Sequence, residues 1–288
     1  MTPDQQIRRY LESGDYDMLY GGWPGSDVVV RGCEAERVLR QALVKEVCRR
    51  AKDQGRSALH PDFDSDRFTL DKVGPMVRGL FPAREQPPVF ELFKNSLMFV
   101  THENIEPILV RMNWLGTAWS VANLYLGSLG LPGLDGKPVN YVGLSEETSL
   151  YVSMDYFREK NPFADYVVHE AAHMFHNWKR NRAGLPYTRK REFLLQIDFG
   201  KRELFAYACE AYSRIMELAG TKNDRQCLLA EYEAKMMPDD DRITRSELID
   251  ILTLAIAARN GWKSILQSCS PPLFSRNIVH NPRIISCA

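Results

Sequence analysis

The 288-residue chain lacks an ordered cysteine pattern, a charge excess and a long apolar run, and each shortage removes a class of protein. Its six cysteines (Cys33, Cys48, Cys209, Cys227, Cys269, Cys287) are scattered, with no two at CxxC-type spacing. That argues against a disulfide framework or a cysteine zinc site. It predicts reduced thiols in a cytoplasmic protein, buried as small hydrophobes. Lys plus Arg and Asp plus Glu both total 37, so the formal net charge is zero. A neutral balance offers no electrostatic case for nucleic acid or an anionic membrane. The N-terminal MTPDQQIRRYLESGD has no apolar core of the signal-peptide kind. The most apolar stretch, Trp114 to Leu134, is broken by Asn123 and five glycines or prolines, which excludes a membrane span. There is no internal repeat and no low-complexity segment.

With 44% hydrophobic and 26% charged residues, the chain can bury a core without covalent staples. Residues 1 to about 90 read as mainly helical. Glu34 to Ala51 carries one apolar stripe (Val38, Leu39, Ala42, Leu43, Val47), and Arg67 to Leu80 is a weaker helix interrupted at Gly74-Pro75. Pro82 to Pro88 has the composition of a linker, and Val89 to His102 that of a strand. Trp114 to Leu126 reads as a buried helix, Gly130 to Pro138 as a loop, and Val139 to Val152 as one or two strands. Asn161-Pro162 suits a helix start, since Asn caps and proline tolerates the first turn. That helix should run to about Arg180. Further helices are expected over Lys201 to Leu218, Asp224 to Met236 and Thr244 to Arg259, and the last thirty residues should be irregular.

The helix opened by Asn161 contains YVVHEAAHMFHN. His169 and His173 are four apart, so their rings project from one face and can reach one ion. Glu170 lies beside them, placed to take a proton from a water on a zinc ion and return it to a leaving amine. Three protein ligands leave zinc one open position, where a water's pKa falls to roughly 7. The flanking Val167, Val168, Ala171 and Ala172 are apolar, which places this helix against a core and not in solvent.

A third ligand is needed. The continuation HExxHxxGxxH is absent, because His176 stands where glycine would be and no further histidine follows until His280. The Lys201 helix offers two candidates, Glu203 and Glu210, two turns apart on one face, of which only one can reach the ion.

HEAAH followed by ELFAYACE resembles the gluzincin metallopeptidases, notably the aminopeptidase-like pattern HExxH…NExxAxxxxE. The resemblance covers Asp165 to Ala219. It implies that Glu203 binds the metal, that Ala206 lets two helices approach, and that Glu210 orients a ligand histidine. With Pro82 to Pro88 read as a linker, the expected organisation is a helical N-terminal region of residues 1–88 and a zincin-like metallohydrolase domain of residues 89–288. Two departures narrow the resemblance: Arg202 replaces the asparagine before the ligand, and the GxMEN substrate strand is missing. The implication therefore extends to a zinc site and a peptidase-like chemistry, not to aminopeptidase specificity.

Other residues carry two readings. Asp165 could accept the second ring proton of His169 or complement the helix dipole. His176 could bond carbonyls at the helix end or line the cleft, and a second metal is conceivable there. Tyr207, Tyr212, Tyr187 and His280 are candidate donors to an oxyanion. Val139 to Leu144 could offer a strand edge to a peptide. Lys179-Arg180 and Lys190-Arg191 form a basic cluster, expected as a solvated helix end, that could also meet acidic substrates. The expected fold is α+β and predominantly helical, with the site helix packed on a small sheet. The expected function is a hydrolase with one Zn2+ per chain, a metallopeptidase acting on a peptide or small amide, with neither nucleic acid nor membrane as partner. A zincin-fold binding or regulatory module, or an amidohydrolase of small molecules, would carry the same motif.

Overall fold

A computed structural model describes residues 1–55, 58–146, 148–235 and 237–271. The fold is mostly helical around a small sheet. In chain order the elements are α1 (Pro3–Ser13), α2 (Val28–Ala51), α3 (Ser65–Leu80), α4 (Gln86–Lys94), β1 (Leu97–Val100), α5 (Ile105–Arg111) and α6 (Leu115–Ser128). There follow β2 (Gly143–Glu146), β3 (Ser149–Ser153), α7 (Tyr166–Asn177), α8 (Arg202–Leu218), α9 (Lys222–Lys235), α10 (Arg245–Ala257) and α11 (Gly261–Cys269).

The three strands run in the order β1-β3-β2. β1 lies parallel to β3, pairing Leu97 with Leu150, and β2 lies antiparallel to it, pairing Gly143 with Val152. Side chains alternate across a strand, so the sheet feeds two cores. Leu97, Phe99, Leu150 and Val152 face one, with α3, α4, α7, α8, α10 and α11. Val100 and Tyr151 face the other, with α1, α2, α5 and α6. Each core draws residues from both sides of position 88.

Local chemistry accounts for where the elements begin. Thr2 and Gln5 form a reciprocal capping box on α1. Asp27 accepts from the amides of Val29 and Val30, so α2 starts on three valines, six residues before the expected Glu34. Its Leu39, Leu43 and Val47 then repeat every fourth residue into the core.

Several expectations need correction. Pro82 to Pro88 is not a linker: a short 3-10 turn at Ala83–Glu85 leads straight into α4, whose first turn accepts Pro87 because it needs no amide there. Val89, Leu92 and Phe93 are buried at helical spacing, so the strand begins only at Leu97. α3 continues through Gly74-Pro75. The site helix starts at Tyr166, not Asn161, because Asp165 caps it; Asn161 instead accepts from Phe163 N in a preceding turn. It stops at Asn177, three residues short of Arg180. Within the final stretch expected to be irregular, α11 is a helix capped by Asn260. Cys209 and Cys269 are buried as small hydrophobes, but Cys33, Cys48 and Cys227 are exposed on helix faces turned to solvent; all five are free. Among the described residues, no helix is long and apolar enough to cross a membrane.

Candidate metal centre

Helices α7 and α8 pack against each other, and both carry buried alanines. Ala171, Ala172, Ala206 and Ala208 are fully buried between larger apolar neighbours. That closeness brings His169, His173 and Glu203 together. His169 Nε2 lies 3.2 Å from His173 Nε2. Glu203 Oε2 lies 3.9 Å from the first and 3.5 Å from the second. Tetrahedral zinc with bonds of about 2.0–2.1 Å separates its ligand atoms by roughly 3.3 Å, so the triangle has the size of one tetrahedral face.

The ring nitrogens facing away from this triangle are both engaged. His169 Nδ1 is 3.0 Å from Glu210 Oε2, to which it donates. His173 Nδ1 is 3.1 Å from His176 Nε2, and His176 Nδ1 is 3.0 Å from Asn177 Oδ1. Burial, with the charges of His173 and Arg202, depresses the His176 pKa to about 3, so that ring is neutral. Assigned from this network, its Nδ1–H donates to Asn177 and its Nε2 accepts the proton of His173 Nδ1. Both Nε2 atoms at the triangle are then lone-pair acceptors, and Glu203 adds a carboxylate oxygen. With both rings neutral, as metal ligation requires, three acceptors converge there, an arrangement that a cation satisfies. Burial works against a charged His169, but its bond to Glu210 and the charges of Glu210, Glu170 and Glu203 outweigh it and raise the pKa. Burial likewise opposes the charge of Glu203, and His173 and Arg242 overcome it, so that carboxyl titrates below its ordinary range.

Glu210 and Asp165 divide the roles that the sequence left open. Glu210 holds His169 through Oε2 and accepts the amide of Asp165 through Oε1 at 2.8 Å. Asp165 makes no bond to the His169 ring. Its carboxylate caps α7 at Val168 N, accepts from Tyr156 Oη and pairs with Lys72 Nζ at 2.9 Å. Burial raises the Asp165 pKa, partly offset by Lys72. Asp165 therefore anchors the helix start beneath the site.

Glu170 points past the triangle toward β2. A Cβ built on Gly143 would stand 2.7 Å from Glu170 Cγ and 3.1 Å from Oε1, so only glycine lets the strand approach so closely. Among the described residues strand β2 pairs with β3 alone, and its other edge borders the cleft. Ser153 N donates to Val142 O. By the alternation of antiparallel pairing, Gly143 and Ser145 then direct their backbone N–H and C=O groups outward. Of the expected edge Val139 to Leu144, Asn140 to Leu144 line the cleft, although the strand begins only at Gly143. The cavity holds about 1090 Å³ and is lined by His169, Glu170, His173, His176, Glu203, Tyr207 and Glu210 among others.

The oxyanion candidates fare differently. Tyr207 lines the cleft with its ring edge-to-face on His169, but its hydroxyl donates to Asp240 Oδ2 at 3.1 Å. Tyr212 is packed away from the cleft against Trp262, and Tyr187 is exposed outside it. His280 lies outside the described residues. The basic cluster is neither solvated at Arg180 nor part of the cleft. Arg180 is fully buried, pairs with Glu85 at 2.8 Å and donates to the carbonyls of Pro186 and Leu194, pinning the loop after α7. Lys179 pairs with Glu192.

Sequence reasoning missed Arg242. Its guanidinium bonds Glu203 Oε1 at 2.6 Å and Asp240 Oδ2 at 2.6 Å, holding the carboxylate whose other oxygen faces the histidines. In return Arg242 depresses the Asp240 pKa to about 2. Nothing in the spacing of Arg242 marks it; thirty-nine residues separate it from Glu203.

No protein family, no curated protein and no solved structure matches this chain. What the site can do is argued from its geometry and its donor set.

Proposed function

We propose that the chain is a zinc-dependent hydrolase of the zincin type, a metallopeptidase that cleaves a peptide or amide bond. His169, His173 and Glu203 are its metal ligands. One observation carries the reading: three acceptor atoms converge at 3.2–3.9 Å, with a fourth side chain, Glu170, beside them at a strand edge that borders the cleft. The HExxH helix, the glutamate from a second helix and the antiparallel edge strand together support a zincin-like fold. Five free cysteines support a reducing, cytoplasmic location.

Bound zinc would polarise the substrate carbonyl and lower the pKa of a coordinated water to roughly 7. The chain's own residues supply the rest. Glu210 and His176 fix the ring orientations of His169 and His173, and Arg242 fixes Glu203. Glu170 accepts the attacking water's proton and delivers it to the leaving nitrogen. Gly143 and Ser145 offer outward backbone groups that can pair with an extended substrate. The cavity of about 1090 Å³ is slightly larger than the roughly 300–1,000 Å³ typical of small-ligand pockets, which favours a peptide over a small metabolite.

The test is a peptide-library digest of wild type beside Glu170→Gln at matched zinc occupancy. The amide is isosteric but cannot take the proton, so turnover should fall by at least about 10²- to 10⁴-fold while zinc and fold stay. Equal cleavage by both proteins, or none by wild type, contradicts the reading.

A further inference from the structure

We propose that Arg202 anchors a carboxylate of the substrate, either the free chain terminus or an Asp or Glu side chain near the scissile bond. The inference rests on the peptidase reading and names the substrate class for the same cleft. Arg202 is the first residue of α8, directly before Glu203, and lines the cavity. Its guanidinium sits 4.9 Å above the ring of Phe199, which holds the plane in place. The Phe199 ring is itself 82% exposed, an aromatic kept at the rim of the cleft and not in a core.

The partners of Arg202 are what set it apart. Its Nε is buried and bonded to nothing among the described residues, and no described carboxylate pairs with it. The other arginine of the cavity, Arg242, is taken up by Glu203 and Asp240. Of the acids lining the cleft, Glu203 is engaged by Arg242 and the histidines and Glu210 by His169, while Glu170 is the base of the proposed reaction. Among the described residues, Arg202 is therefore the arginine of the cleft that no carboxylate pairs. Guanidinium is the side chain whose planar fork matches a carboxylate with two parallel bonds. Arg202 is also the position at which the chain departs from the gluzincin pattern, which makes it a place for a preference of this chain's own.

The experiment uses full-length, zinc-loaded Glu170→Gln protein, which binds without turnover, and four fluorescent peptides of one core sequence. They combine Glu or Gln at one position with a free or amidated C-terminus, and binding is read by anisotropy. A charge-assisted pair predicts about 10- to 100-fold tighter binding for the carboxylate-bearing peptides. Preference confined to free termini identifies an end-acting site, and preference confined to Glu an internal one; either supports the assignment. Adding Arg202→Met should abolish the preference with zinc content unchanged, and Arg202→Lys should keep part of it, which covers the case that the Met variant folds poorly. Equal binding of all four peptides, no binding of any, or a preference that survives Arg202→Met overturns the proposal. Wild-type cleavage separates the two readings. Cleavage without carboxylate preference overturns only the role of Arg202, and preference without cleavage overturns only the peptidase.

Discussion

The two faces of the sheet carry different kinds of core. On the face of α1, α2, α5 and α6 the buried polar side chains are neutral, as with Gln6, Asn123 and Ser128. Every buried Asp, Glu, His or Arg among the described residues, namely Glu85, Asp165, His169, His176, Arg180 and Glu210, lies on the face of α7 and α8. Burying charge is expensive unless it is paired, so a fold concentrates it only where something is gained. Here Glu85 with Arg180 locks the loop that follows the site helix, Asp165 caps that helix, and Glu210 and His176 orient the two histidines. The apolar face supplies stability that does not depend on the site. The charged face ties its stability to the site's geometry.

Substitutions can break that contrast. The largest loss should come from Arg180→Ala, which leaves the buried Glu85 with only the longer, largely exposed contact of Arg191 at 3.7 Å; about 3–5 kcal/mol is expected, read from urea melts. Leu39→Ala, in the apolar face, should cost about 2–5 kcal/mol through its cavity. Its folded fraction should still bind zinc with wild-type affinity. Ala206→Leu should cost less, about 1–3 kcal/mol by overpacking, yet should weaken zinc binding because it pushes α8 and Glu203 away from α7. If Leu39→Ala and Ala206→Leu changed zinc affinity alike, the two faces would not be independent. The smallest effect belongs to Glu210→Gln, which keeps a bond to His169 but loses its charge. Zinc affinity should fall by about 10- to 100-fold, measured by competition with a chelator, while Glu203→Gln falls further.

What was legible in the sequence follows from the range of each signal. The HExxH spacing and the second glutamate helix are local, i to i+4 patterns, and the structure sets His169, His173 and Glu203 in one triangle. The buried alanines of α7 and α8 were readable for the same reason. Helix starts were missed where a side-chain cap decided them, as Asp165 did over Asn161 and Asp27 over Glu34. The strand expected from Val89 failed because Val89, Leu92 and Phe93 suit a helix as well as a sheet, and only the first-turn proline decides between them. Arg242, Lys72 and the Glu85–Arg180 pair join residues distant in sequence, and no spacing rule reaches that far.

The central claim is the ligand set, and zinc K-edge absorption on the purified, stoichiometrically loaded protein tests it most directly. The account predicts about one zinc per chain, two imidazoles and one carboxylate at roughly 2.0–2.2 Å, and no sulfur. His173→Ala should remove the imidazole signal together with the tightly bound metal. A sulfur shell near 2.3 Å, or full zinc retention in His173→Ala with an unchanged spectrum, would contradict it.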